Sequence, residues 1–166
     1  MFQYRMDWKP FVVCAADEGV PRARGLHAPE GLGDRLRTAA FAERQAAEAF
    51  RWAAESLAAA PPELREAWRR FAVEEEKHLG WILGRMAELK IDPAGRAVSD
   101  RLWRSLVRCR APREVSLLMT RAEERGKAAE ESFRLSLASR DPATAEIFGR
   151  IAAEEEQHIA AQRDLV

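Results

Sequence analysis

Two of the three histidines in this 166-residue chain follow a run of three glutamates, and the two runs lie eighty residues apart. The first run is Glu74-Glu75-Glu76-Lys77-His78, and the second is Glu154-Glu155-Glu156-Gln157-His158. On a helix, a carboxylate and an imidazole three residues apart share one face, where both can bind the same metal ion. A single pair of this kind arises by chance in Glu-rich helices, whereas the repeated pair predicts a metal site.

Helical geometry selects one glutamate from each run. At about 100° per residue, Glu75 lies about 60° from its histidine, at the edge of the apolar stripe, while Glu76 lies near 160° and faces solvent. The same angles favour Glu155 in the second run. Glu74 and Glu154 lie at the opposite edge of the stripe, where they can contact the site without binding the metal.

The eighty-residue offset supplies one more carboxylate from each half, 32 residues before the selected glutamate. These are Glu43 and Glu123, which face the apolar stripes of their helices, whereas Glu124 faces outward. A hairpin turn at Pro61 brings Glu43 level with its partner on the next helix. Six candidate ligands then converge: Glu43, Glu75, His78, Glu123, Glu155 and His158. Four carboxylates and two imidazoles favour two iron or manganese ions over zinc.

The two halves differ at one inward-facing position, where the first has Phe50 and the second has Glu130. Glu130 lies two turns beyond Glu123, roughly 10 Å along the helix axis. We therefore interpret it as a polar pocket residue, or as a partner for a core-facing arginine such as Arg85. We expect positions at which the two halves differ in this way to determine a substrate preference.

Composition and periodicity predict an all-α protein. Hydrophobic residues make up 47% and charged residues 33% of the chain, and apolar residues recur every three or four positions between proline breaks. The predicted helices span about 33–59, 63–90, 113–139 and 143–164. Residues 91–112 then form the single long crossover of a ferritin-like antiparallel four-helix bundle, joining the halves 33–90 and 113–166 of an eighty-residue tandem repeat.

Residues 1–32 contain several prolines, glycines and aromatic residues and have no sustained helical period. They predict an extended N-terminal arm that packs on the bundle. Four aromatic side chains are expected to cover apolar surface: Phe2, Tyr4, Trp8 and Phe11. An arm that reaches a neighbouring subunit of a homodimer is the alternative.

The formal net charge is zero, so no overall field attracts nucleic acid or an acidic membrane. The chain has no apolar run long enough to span a membrane and no signal-peptide pattern, which predicts a cytoplasmic protein. Cys14 and Cys109 are expected to be free thiols. The basic segment from Arg96 to Arg113 is most simply a solvated face, and RNA binding is the alternative.

The chain resembles the ferritin-like di-iron carboxylate superfamily, whose signature of Glu, ExxH, Glu, ExxH matches the six candidate ligands. It is also similar to an uncharacterised bacterial ferritin-like family related to tRNA-modifying di-iron monooxygenases. That similarity covers residues 21–160 and includes Pro21 to Leu26, Pro29-Glu30-Gly31, Glu43 to Ala46, Trp68 to His78, Asp100 to Trp103, and Glu123 to Gly126. Thr38 and Phe41 stand where that family tends to have histidines.

By this resemblance, Glu75 and Glu155 bridge two metal ions, Glu43 with His78 completes one position, and Glu123 with His158 completes the other. The resemblance implies an oxygen-activating hydroxylase or oxidase that uses dioxygen or peroxide and a separate electron donor. An iron-oxidising or peroxide-scavenging protein without an organic substrate is one alternative. A tRNA-modifying hydroxylase or an RNA-binding protein is another.

Overall fold

Prolines mark the starts of three of the long helices. The computed structural model describes residues 6–15 and 18–164, and Phe2 and Tyr4 lie outside this part. Within it the helices are α1 (Gly31–Ser56), α2 (Pro62–Glu88), α3 (Arg101–Leu106), α4 (Pro112–Leu137) and α5 (Pro142–Asp164). Proline suits the first helical position because its fixed φ fits the helix and its missing N–H would have no partner there. None of the helices in these residues is long and apolar enough to cross a membrane.

The four long helices form a bundle of two hairpins. Short connections join α1 to α2 and α4 to α5, and each helix packs along its hairpin partner. The hairpins meet where α2 contacts α5 and where α1 contacts α4. One apolar core fills the space between them, with Phe41, Phe50, Trp68, Phe148 and Ile151 among its fully buried side chains. The predicted all-α, ferritin-like bundle is confirmed.

Helix α1 begins at Gly31, two residues earlier than the sequence predicts, because a turn leads directly into it. The N–H of Gly31 donates to the carbonyl of Ala28, and the N–H of Asp34 donates to that of Glu30. A Cβ at position 31 would lie 2.1 Å from the carbonyl oxygen of Gly25, so only glycine fits this close approach. At its other end α1 stops at Ser56, before the predicted 59, because the turn from Leu57 to Ala60 follows it.

The described part of the N-terminal arm packs on α1 and α3. The Trp8 ring lies 5.2 Å from that of Phe41 and 5.8 Å from that of Trp103, and Phe11 lies 5.1 Å from Phe41. Backbone bonds flanking Val98 pair the arm with the crossover, from Cys14 N–H to Val98 O and from Val98 N–H to Val12 O. Phe41 therefore belongs to the contact between the arm and the bundle.

Asp34 ties the arm and the crossover to α1. Its buried carboxylate accepts hydrogen bonds from the guanidinium groups of Arg24 at 2.8 Å and Arg96 at 2.6 Å, and Arg37 lies 3.4 Å away. Hydrogen bonds from Arg24 hold the pKa of Asp34 well below its usual range. Arg96, the first arginine of the basic segment, therefore makes an ion pair within the protein. RNA binding by the basic segment stays a prediction.

Candidate metal centre

The four long helices each direct at least one of the six predicted ligands into the middle of the bundle. Helix α1 supplies one glutamate and α4 supplies another, while α2 and α5 each supply a glutamate and a histidine. All six side chains are buried, and none exposes more than 7% of its surface: Glu43, Glu75, His78, Glu123, Glu155 and His158. Ionisable side chains are rarely buried unless they are paired or bind a metal.

Ligand atoms from these residues form two overlapping groups, in each of which the atoms lie within 4.8 Å of one another. The first group contains Glu43 and His78, and the second contains Glu123 and His158. Glu75 and Glu155 belong to both groups, so each lies between the two halves of the site. Two metal ions held by these groups would be adjacent and would share the two carboxylates.

Unsatisfied atoms show that the donor set fits a metal. Each of the six residues has one buried atom with no hydrogen-bond partner among the described residues: Glu43 Oε2, Glu75 Oε1, His78 Nδ1, Glu123 Oε1, Glu155 Oε2 and His158 Nδ1. A buried polar atom without a partner costs about 1–3 kcal/mol. Six of them converging on one place are explained if two cations bind them, and carboxylate with imidazole is a donor set that suits iron and manganese.

Each imidazole is oriented by a glutamate from the opposite half. His78 Nε2 lies 2.8 Å from Oε2 of Glu154, which also accepts from Nζ of Lys77 at 2.6 Å. His158 Nε2 makes the matching hydrogen bond to Glu74. Both Nδ1 atoms therefore point into the site, where that of His78 lies 3.4 Å from Glu43 Oε2. Glu74 and Glu154 contact the histidine rings, and these contacts fix the orientation of the rings.

The protonation of the metal-free site reflects crowding of buried carboxylates. Burial and the nearby charge of Glu75 raise the pKa of Glu155 to about 12, and burial with the charge of Glu75 also raises that of Glu43. Burial opposes ionisation of Glu75 too, but contacts with both imidazoles lower its pKa to about 2. Burial lowers the pKa of His78, yet its contacts with Glu43 and Glu75 raise it to about 10. Without metal, protons neutralise much of the site.

Gln162 is a site residue that the ligand pattern did not identify. It is 1% exposed, and its side-chain amide donates a 2.7 Å hydrogen bond to Oε2 of Glu123. The signal in the sequence is a polar residue four positions after His158, where the helix turns it toward the core. Ile82 occupies the corresponding place in the first half.

Glu130 is buried, and it belongs to neither four-residue group. Burial raises its pKa to about 7, and its Oε2 has no hydrogen-bond partner among the described residues. The predicted pairing with Arg85 is wrong, because that guanidinium binds Thr144 and Asp141 at the start of α5, and Glu88 one turn along its own helix. The role of Glu130 as a polar pocket residue stays a prediction.

An aromatic ring packs against each imidazole. The Phe71 ring lies 4.5 Å from that of His158, and Phe50 lies 5.4 Å from Phe71. On the other side the partly exposed Trp81 ring lies 5.5 Å from that of His78, with the Arg150 guanidinium 4.0 Å from its centroid. These rings limit the access of water to the histidines.

Fold and site together define a metal-binding protein built on a four-helix bundle with a buried cluster of carboxylates and histidines. The model of the rubrerythrin family matches residues 34–166, which include all six predicted ligands. The chain belongs to this family and is a ferritin-like protein with a di-iron type of site. No curated protein and no solved structure matches it.

Proposed function

We propose that this protein is an oxygen-activating oxidoreductase that uses two iron ions, or manganese in their place, held by the six buried ligands. The observation that carries the proposal is the convergence of one unsatisfied buried atom from each of these residues. A site that only stabilised the fold would be served equally well by apolar side chains at these positions. Carboxylate and imidazole donors instead suit a metal pair that changes its oxidation state.

The residues around the centre have separate tasks. Glu75 and Glu155 place negative charge between the two metal positions, while His78 and His158 each complete one position through Nδ1. Two bound ferrous ions would supply two electrons, one from each ion, to dioxygen or peroxide, and a separate one-electron donor would restore them. Phe71 packs against the ring of His158 and helps to keep water from it.

The proposal is tested by reconstituting the protein with iron(II) without oxygen and then mixing it with dioxygen or with peroxide. We expect about two iron ions per chain and rapid oxidation of both, followed by recovery when a reductant is added. Glu75→Ala should abolish both metal binding and oxidation. Glu76→Ala is the matched control, because Glu76 is exposed and pairs with Arg51 on the surface.

Different outcomes separate the alternatives. Oxidation of many iron equivalents per chain in air, without added reductant, would favour iron handling over oxygen activation for an organic substrate. Fast reaction with peroxide but not with dioxygen would favour peroxide removal. If the wild-type protein binds neither iron nor manganese, the proposed function is wrong.

A further inference from the structure

Helices α1 and α4 are antiparallel neighbours, and small residues face one another along the middle of the seam between them. The guanidinium of Arg35, near the start of α1, lies 5.8 Å from the ring centroid of Phe133, near the end of α4. The ligands Glu43 and Glu123 follow the first of these residues and precede the second, so the helices run in opposite directions. Counting inward from the Arg35 and Phe133 pair brings three small residues of each helix to matching levels: Ala39, Ala42 and Ala46 on α1, and Ala129, Gly126 and Ala122 on α4.

The seam is open at the level of Gly126. Ala42 and Ala129, one on each helix, are exposed. Gly126 itself lies on the inward face of α4, because Met119 and Phe133, seven residues before and after it, are both buried. A Cβ on Gly126 would nevertheless meet no other heavy atom of the described residues within 4 Å. The core is therefore unfilled at this point.

The neighbouring parts of the bundle are closed. At one end of the seam α3 contacts both helices, with the Trp103 ring 6.4 Å from that of Trp52 and the Trp103 N–H donating to Oε1 of Gln45. On the other side of α4, the amide of Gln162 on α5 donates to Glu123. The opening at Gly126 is thus bounded by α3 along the seam and by α5 across α4.

The opening lies beside the metal ligands of α1 and α4. Glu123 precedes Gly126 by one turn on the same face of α4. Glu43 and Glu123 remain 5% and 7% exposed, whereas His78 and His158, on the other two helices, are 0% and 1% exposed. The ligands of α1 and α4 therefore retain a contact with solvent that the histidines lack.

Glu130 supplies the opening with a buried polar group. It follows Gly126 by one turn on the same face, and helical side chains lean toward the N-terminus, so its carboxyl group covers the turn that contains Gly126. The side chain is 8% exposed, and its Oε2 has no hydrogen-bond partner among the described residues. Because a buried oxygen without a partner is destabilising, a molecule that donates a hydrogen bond to it would bind favourably.

We propose that the seam at Gly126 is the entrance to the metal centre and its substrate groove, and that it takes a short apolar molecule whose hydroxyl or amino group donates to Glu130. The alanines of both helices contact the apolar part, and the missing side chain of Gly126 keeps the groove open. This inference rests on the proposed function, because it names the class of substrate for the same centre.

Trifluoropropanol is a probe with this chemistry, a short apolar chain with one hydroxyl group. We expect fluorine NMR to show saturable binding to the metal-free protein. Bound Mn²⁺ should strongly increase the relaxation of the probe's fluorine nuclei, because paramagnetic relaxation falls steeply with distance. This second measurement places the bound probe beside the metal ligands.

Gly126→Leu should abolish binding of the probe, because leucine fills the groove, and should leave the uptake of Mn²⁺ unchanged. Gly80→Leu is the matched control. Gly80 is exposed on α2, a Cβ there also meets no heavy atom of the described residues within 4 Å, and leucine improves helix propensity equally at both positions. Ala42→Leu should block the groove from the side of α1.

Glu130→Met tests the polar contact. It should weaken the binding of trifluoropropanol about fivefold, the usual effect of losing one hydrogen bond. Glu124→Met is its control, because Glu124 is exposed and pairs with Arg163 on the surface.

The outcomes separate this inference from the proposed function. It would be overturned if the wild-type protein showed no saturable binding, or if Gly126→Leu and Ala42→Leu, both folded as wild type by circular dichroism, bound the probe as wild type does. Equal affinities of Glu130→Met and wild type would overturn it as well. Binding of the probe by a protein that takes up neither Mn²⁺ nor iron would instead refute the proposed function.

Discussion

Glu154 on α5 accepts a hydrogen bond from Nε2 of His78 on α2, although 76 residues separate the two in sequence. The reciprocal bond joins Glu74 on α2 to His158 on α5. In each run of three glutamates, therefore, one residue faces the metal positions, and the residue before it orients the histidine of the other half. The two ExxH helices depend on each other for the geometry of the centre.

Replacing Glu154 with glutamine should weaken metal binding about 10- to 100-fold, because a charged partner no longer fixes the ring of His78 or increases the basicity of its Nδ1. A titration with Mn²⁺ measures the change. Glu156→Gln is the matched control from the same run, since Glu156 is exposed and pairs only loosely with Lys127 at 3.4 Å. Equal affinities for the two variants would show that Glu154 does not support the histidine.

Metal affinity should rise with pH across roughly pH 6 to 8, and binding should release protons. The reason is that burial raises the pKa of Glu43, Glu123 and Glu155, while contacts with Glu43 and Glu75 outweigh the effect of burial on His78 and raise its pKa to about 10. These groups hold protons in the metal-free protein and must lose them to bind a cation. Calorimetry in two buffers with different ionisation enthalpies counts the protons. A pH-independent affinity would contradict this reading of the site.

The inward-facing glutamates could be predicted because they follow the helical period. Glu75 and Glu155 differ from their neighbours by 100° of helical angle, and that alone distinguishes inward from outward side chains. The structure buries both and leaves Glu76 and Glu156 exposed. Periodicity also predicted the four long helices. Their observed ends differ from the predicted ones, because local turns determine where a helix begins or stops.

Contacts between distant segments could not be predicted in the same way. Gln162 faces inward by its helical angle, but its hydrogen bond to Glu123 depends on how α5 packs against α4. Asp34 binds arginines 10 and 62 residues away, in the arm and the crossover, where no regular period relates sequence to space. Such contacts become visible only when the packing of the segments is known.

Asp34→Asn should destabilise the fold by about 2 kcal/mol, the usual scale for hydrogen bonds to a charged group. The pKa of Asp34 is lowered in the folded protein, chiefly by hydrogen bonds from Arg24. The ionised carboxylate therefore stabilises the fold at pH values above the pKa of the unfolded chain, about 4, and this stabilisation is lost as the pH falls below that value. Denaturant unfolding at several pH values checks both points. The difference from wild type should shrink in acid, and the exposed Asp7→Asn should show no comparable loss.

Binding of Co²⁺ should quench the fluorescence of Trp81 more than that of the other tryptophans. Its ring lies 5.5 Å from that of His78, and the Arg150 guanidinium 4.0 Å from its centroid packs against its face. Trp52 contacts Trp103 near α3, and Trp68 lies roughly 15 Å before His78 along α2. Because quenching by a paramagnetic ion falls steeply with distance, Trp81→Phe should remove most of the metal-dependent change and Trp52→Phe should retain it. Full quenching in Trp81→Phe would mean that Co²⁺ binds away from His78.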